Sequence, residues 1–332
     1  MRRTFSVVVI AIATFFGTQA FSEDFSLDKD EKIQIFQKTK NKAKQGIVEA
    51  QYLLGKLFFQ GEGVPQDREK AFKWLHTAGK RGNAAAQSWL GEMYYHGKGV
   101  SQDYDEAAKW FRKGAKQGDI AAQGWLGQMY YNGKGVSQDY DEAANWFRKG
   151  AEQGHLGAQA VLGQMYYDGT SLRQDFRKAA KWRRKAAEQG SPISQKSLGA
   201  MYSLGKGVPK DYDEAAKWFR KAALQGNASA QSLLGTMYYD GKGVSQNNDE
   251  ALKWYRKAAE QGNASAQFHL GKMYYDGKGV PQDYVEAYFW LNLTVASGMD
   301  YVSEIRDKAA EKLTSKTLDK VKKRTRTWHP KK

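Results

Sequence analysis

"AQSWLGEMYYHGKGVSQDYDEAAKWFRKGAKQG", Ala86 to Gly118, decides how the chain is read, because the same text returns with small changes along most of its 332 residues. Gly55, Gly91, Gly127, Gly163, Gly199, Gly235 and Gly271 stand 36 residues apart, and so do Trp74, Trp110, Trp146, Trp182, Trp218, Trp254 and Trp290. A period of this length makes each repeat one supersecondary unit that must stack on its neighbours to bury its apolar side. Seven units run without insertion, at 47–82, 83–118, 119–154, 155–190, 191–226, 227–262 and 263–298.

Each unit carries the signals of two helices. Asn83 suits the N-cap of the first, whose apolar side is Ala86, Leu90, Met93 and Tyr94; Gly97 stops it and Gly99 permits a tight turn. Asp103 opens the second, with Glu106 three residues on as in a capping box. Asp67, Asp139, Asp175, Asp211, Asn247 and Asp283 hold the same place in the other units. The second apolar stripe is Ala107, Trp110, Phe111 and Ala115, and Gly118 ends it. Both ends need sealing. Lys32 to Gly46, within 23–46, reads as a leading half-unit, and Tyr301 to Trp328, within 299–332, as a capping helix followed by a basic tail.

The pattern Ala-Gln, Leu-Gly, Tyr-Tyr, Gly-x-Gly-Val, Ala, Trp in this stretch resembles the Sel1-like repeat, a relative of the tetratricopeptide repeat with a longer connection between its helices. The resemblance covers essentially the whole chain after the leader. It implies an all-α fold, a right-handed αα superhelix or solenoid with a C-terminal capping helix. It also implies a protein that mediates protein contacts through the concave wall of its first helices, often in bacterial envelope, signalling or host-interaction settings. Unit four departs from the pattern, with Ser171 where the second Gly stands and Arg173 where Ser or Pro stands, so its turn is expected to be reshaped.

The chain opens "MRRTFSVVVIAIATFFGTQAFSED". Arg2 and Arg3 precede an apolar run too short to span a bilayer comfortably, and small residues follow, which predicts a signal peptide over 1–22 cleaved near Ala20 or Ser22. The expected location is the periplasm or outside the cell. There is no Cys, so neither a disulfide framework nor a lipidated N-terminal Cys can contribute. The net charge of +16 would suit nucleic acid, but export argues against that partner. The charge is uneven, with 11 Lys and Arg against 4 Asp and Glu from Glu304 to Lys332. That tail reads either as a solvated helix face with a frayed end or as a weak electrostatic contact with an anionic envelope surface.

Catalytic and metal chemistry find little to work with. The five His, at 76, 96, 155, 269 and 329, have no pair at ligand spacing, so no metal and no cofactor is expected. Asp103, Asp105 and Glu106 recur at a helix start, where capping accounts for them. Gly97-Lys98-Gly99 lacks the length and the strand of a phosphate loop. Asn227, Asn263 and Asn292 match glycosylation acceptors, the first two at cap positions. Some cysteine-rich relatives are credited with β-lactam binding or hydrolysis, which makes a cell-wall enzyme the alternative reading. This chain has neither their Cys pairs nor a nucleophile with a base at recognisable spacing.

Comparing the units with one another separates scaffold from surface. In the first helix Ala86, Gln87, Leu90, Gly91, Met93 and Tyr94 recur, while Ala85, Ser88, Trp89, Glu92 and His96 vary and cluster on the other side. The varying stripe is expected to line the concave wall and to bind a protein or peptide. Its residues are Tyr52, Leu53 and Lys56, then Trp89, Glu92 and His96, then Trp125, Gln128 and Asn132, and at the far end Phe268, His269 and Lys272. The middle, with Lys196, Ser197 and Leu204, reads as smaller and plainer. Trp89 and Trp125 occupy equivalent places, and two readings stay open: anchors for a partner, or rings that fill the gap between units. His96 and His269 read as solvent-facing, and Trp110 and its equivalents as core. The expected state is a monomer.

Overall fold

The computed structural model describes residues 28–170 and 172–331. The predicted signal peptide at 1–22 and the Ser171 position lie outside the described residues. Among those described there are 17 α-helices, one 3-10 turn at Asp300–Val302 and no strand. Helix α1 (Lys29–Lys44) leads. Seven hairpins follow: α2 (Val48–Gln60) with α3 (Arg68–Lys80), α4 (Ala84–His96) with α5 (Tyr104–Lys116), α6 (Ile120–Asn132) with α7 (Tyr140–Glu152), and α8 (Leu156–Asp168) with α9 (Phe176–Glu188). Next come α10 (Pro192–Leu204) with α11 (Tyr212–Leu224), α12 (Ala228–Asp240) with α13 (Asn248–Glu260), and α14 (Ala264–Asp276) with α15 (Tyr284–Ala296). Two short helices, α16 (Ser303–Ala310) and α17 (Ser315–Arg326), close the stack where one capping helix is expected from sequence.

Helix ends follow their capping residues. The Asn83 side chain accepts the Ala86 N–H and Asp103 that of Glu106, each satisfying a donor the helix leaves free. The capping box expected at Asp103 is only half made. Glu106 turns away to Lys109 Nζ at 2.6 Å, and the reciprocal pair closes at Asp28 with Glu31. Gly99 is needed twice over: its φ is +77°, and a Cβ there would lie 2.3 Å from the Arg68 carbonyl of the preceding unit.

The repeated Gln of each first helix ties neighbouring units together. Gln123 Nε2 donates to the Ala115 carbonyl of the preceding unit at 3.3 Å, and its Oε1 accepts from Gln153 at the end of its own unit at 2.8 Å. Gln87, Gln159, Gln195 and Gln231 repeat both bonds, and all are buried. A buried amide bonded on both sides costs little, and removing it strands two partners. This ladder was not read from the sequence, where Gln87 was only a recurring letter.

Trp110, Trp146, Trp182, Trp218, Trp254 and Trp290 are buried, whereas Trp74 in the first unit is only half-buried. Five of the rings carry a Lys one turn on, as Lys113 lies 4.2 Å from the Trp110 centroid. As far as Lys331, the C-terminal residues dock on the preceding helices. Trp328 packs edge-on to Trp290 at 6.3 Å, Lys331 N–H donates to the Glu260 carbonyl at 2.8 Å, and Arg324 lies 3.7 Å over Phe289 while pairing with Glu286.

Candidate partner-binding groove

Curvature follows from which helices approach. Among the helices of the seven hairpins, those two apart in the chain that come close are α4 with α6, α6 with α8 and α12 with α14, all of them first helices; the contact of α15 with α17 belongs to the C-terminal cap. The first helices therefore form the inner wall, and their outward stripe faces the groove.

Three clusters form along that stripe. At the leading end Trp89 is half-buried, edge-to-face with Phe59 at 5.0 Å, and hydrogen-bonded with Tyr52. Burial, with Glu49 adding to it, pushes the Tyr52 hydroxyl up to about 12. Leu53 is half-buried beside it, and the Lys56 ammonium lies 5.8 Å from the Tyr52 ring. In the second cluster Trp125 stacks on Phe111 of the preceding unit, 5.7 Å apart and 11° from parallel, and touches Tyr95 and His96 at 5.0 and 5.6 Å. Its Nε1 donates to Glu92 Oε1 at 3.2 Å. Burial raises the Glu92 carboxyl despite that bond and lowers the His96 imidazole. At the trailing end His269 stacks on Tyr255 at 4.8 Å, and Phe268 touches His269 and Tyr301 at 5.1 and 6.2 Å. Gln128 is half-buried, while Asn132 and Lys272 are exposed, and no cluster includes any of the three.

Trp89 and Trp125, for which two readings stood open, both pack across unit boundaries and leave part of each ring to the groove. Other placements differ from the sequence reading. His269 is only half-exposed, because one face of its ring is stacked over the fully buried Tyr255. Ser88, assigned to the open stripe, is buried at 4% exposure. The middle of the groove is not plain: Ile193 is 67% and Leu204 61% exposed. Arg183 stands where other units place Phe111, Phe147, Phe219 or Tyr255, and it is 94% buried by its 6% exposure. Its signal was on the page, since "KWRRK" replaces the recurring "KWFRK".

Among the described residues no helix is long and apolar enough to cross a membrane. The Sel1 repeat family matches at residues 48–83, 84–119, 120–155, 157–191, 192–227, 228–263 and 264–298. Among solved structures, the chain is 34% identical to a protective antigen of uropathogenic Escherichia coli that displays an SLR fold, over 90% of this chain and 72% of that one, with a TM-score of 0.63. It is 32% identical to a Sel1 repeat protein of Oxalobacter formigenes, over 74% of this chain and 96% of that one, with a TM-score of 0.64. Comparison with curated proteins yields no match. Proteins of this kind are generally scaffolds for protein interaction. With seven stacked hairpins, an inner wall of first helices and these likenesses, the chain belongs to the Sel1 repeat family.

Proposed function

We propose that this chain is an exported, non-enzymatic scaffold that holds a protein or peptide partner along the groove of its first helices, in envelope signalling or host interaction. One observation carries the reading. The stripe that varies between units is the stripe facing the groove, and it bears part-exposed aromatic clusters at both ends, around Trp89 and Trp125 and around Phe268 and Tyr301. Aromatic rings held rigid by packing lose little entropy on binding, which suits them as anchors. The likeness to a protective antigen supports a location beyond the inner membrane, as does the opening leader.

Photo-crosslinkers placed at Asn132 and Lys272 in the groove are expected to capture the partner in the native envelope, whereas crosslinkers at the exposed Lys109 and Lys217 of the second helices are not. Equal capture from both faces would overturn the groove. Purified protein is expected to be monomeric by light scattering and to leave nitrocefin intact; turnover that survives purification would make it an enzyme. The exposed cations of α17, among them Lys322, Lys323 and Arg326, support a weak contact with anionic envelope surface. Reversing those three charges should lower retention in the envelope fraction at low salt only.

A further inference from the structure

The side chain that the second helix lays against the glycine of the first is apolar or aromatic in six units: Leu75, Phe111, Phe147, Phe219, Tyr255 and Leu291. In unit four it is Arg183, whose Cγ lies 2.9 Å from where a Gly163 Cβ would stand. A buried guanidinium in place of a ring costs desolvation, and that cost is normally offset by a carboxylate. Among the described residues Arg183 makes no ion pair. It donates to Gln164 Oε1 at 2.6 Å and lies 4.4 Å from the Tyr167 centroid. Gln164 is exposed on the groove stripe, and its Nε2 donates on to Asp168 at 2.5 Å.

Asp168 attracts Arg183 from beyond ion-pair distance, and a second cation stands nearby. Lys206 reaches the Tyr167 hydroxyl at 3.4 Å and lies 5.4 Å from the ring, so one Tyr carries two cations. Lys196, on the same stripe of α10, forms no ion pair among the described residues, and the exposed Ile193 and Leu204 stand toward either end of that helix. Where Trp125 covers Phe111 and His269 covers Tyr255, the residue equivalent to both, one unit beyond Arg183, is Ser197. No ring is available there to close the step from above.

We propose that Arg183 is the anchor for a carboxylate side chain of an extended peptide partner, which takes the place of the Gln164 amide, while Ile193 and Leu204 receive aliphatic neighbours of that acid. The inference rests on the groove reading above and adds the chemistry of its occupant. A charge-assisted bond to a carboxylate is stronger than the neutral amide contact it replaces, and the exposed Gln164 can move at little cost.

The test selects short random peptides displayed on phage against the full chain. The best binder and its amide analogue, with Asp and Glu changed to Asn and Gln, are then titrated by fluorescence anisotropy. Selected sequences should carry an acid beside an aliphatic residue, and the amide analogue should bind about tenfold or more weakly, the loss of one charge-assisted pair. Arg183→Phe restores the residue that other units hold, so it should fold with an unchanged or higher melting midpoint. It should nonetheless cost the acidic peptide about tenfold and the amide analogue no more than about twofold. Gln164→Ala should preserve or tighten acidic binding. Amidating the peptide's C-terminus should change nothing, and if it abolishes binding the carboxylate is terminal and the side-chain assignment falls. Peptides that bind and lose affinity on Trp125→Ala, yet ignore Arg183→Phe, would overturn the Arg183 anchor and leave the groove standing. Failure to select any peptide, or binders indifferent to every groove substitution, would overturn both.

Discussion

The Phe111 ring sits against Gly91 so closely that a Cβ on that glycine would fall 2.5 Å from two ring carbons. Helices α4 and α5 reach this separation only because position 91 has no side chain. Gly91→Ala should therefore force a backbone shift and lower the chain's stability by about 1–3 kcal/mol, as overpacking does. In unit four the nearest atom is the flexible Arg183 Cγ, at 2.9 Å, so Gly163→Ala should cost less. Urea midpoints of the two variants measure the difference, and an equal loss would contradict this account of the glycine.

Trp125 belongs to packing as well as to the groove. Trp125→Ala should cost about 2–3 kcal/mol, below a fully buried Trp because the ring is half-exposed. Trp125→Phe keeps the stack on Phe111 but strands the Glu92 carboxylate, for about 1 kcal/mol. Unfolding midpoints check both. A variant that loses partner affinity with no change in midpoint would place the ring in the groove alone.

Gln123 bonds the unit before it and the end of its own. Gln123→Leu preserves bulk but leaves the Ala115 carbonyl and the Gln153 amide without their partner, so about 1–3 kcal/mol should be lost. Hydrogen exchange should quicken at the junction of α5 and α6 more than at that of α13 and α14. Uniform quickening along the chain would argue against a local tie.

His155 caps α8 through Nδ1, which accepts the Ala158 N–H at 3.0 Å and so must be unprotonated. Burial lowers its pKa, with Asp119 opposing. The folded state thus binds the proton less readily than the unfolded chain. Stability should be level above the ordinary His value of about 6.5 and fall as pH drops below it. His76, His96 and His269 are shifted the same way and add to the slope. Asn caps the first helix of other units, as at Asn83 and Asn227, and His155→Asn should make the decline with acidity shallower. Melting midpoints across this pH range read the effect; an unchanged slope would remove His155 from it.

The period, the two helices per unit and their caps were legible from Gly91, Trp110, Asn83 and Asp103 alone, because local backbone chemistry and a repeated apolar stripe act within a few residues. Helical geometry also assigned each residue of the first helix a direction, though Ser88, placed on the open side, is buried. Depth was not legible. Whether Trp125 stands free depends on Phe111 in the unit before, and whether Arg183 is buried depends on Gly163 and Tyr167 packing over it. The Gln123 ladder and the docking of Trp328 on Trp290 likewise join residues from separate helices. A repeat determines by itself that its units must stack, because no single hairpin can bury its apolar side. Only the stacked structure decides which side chains meet across the joints, and there the groove acquires its rings and its buried cation.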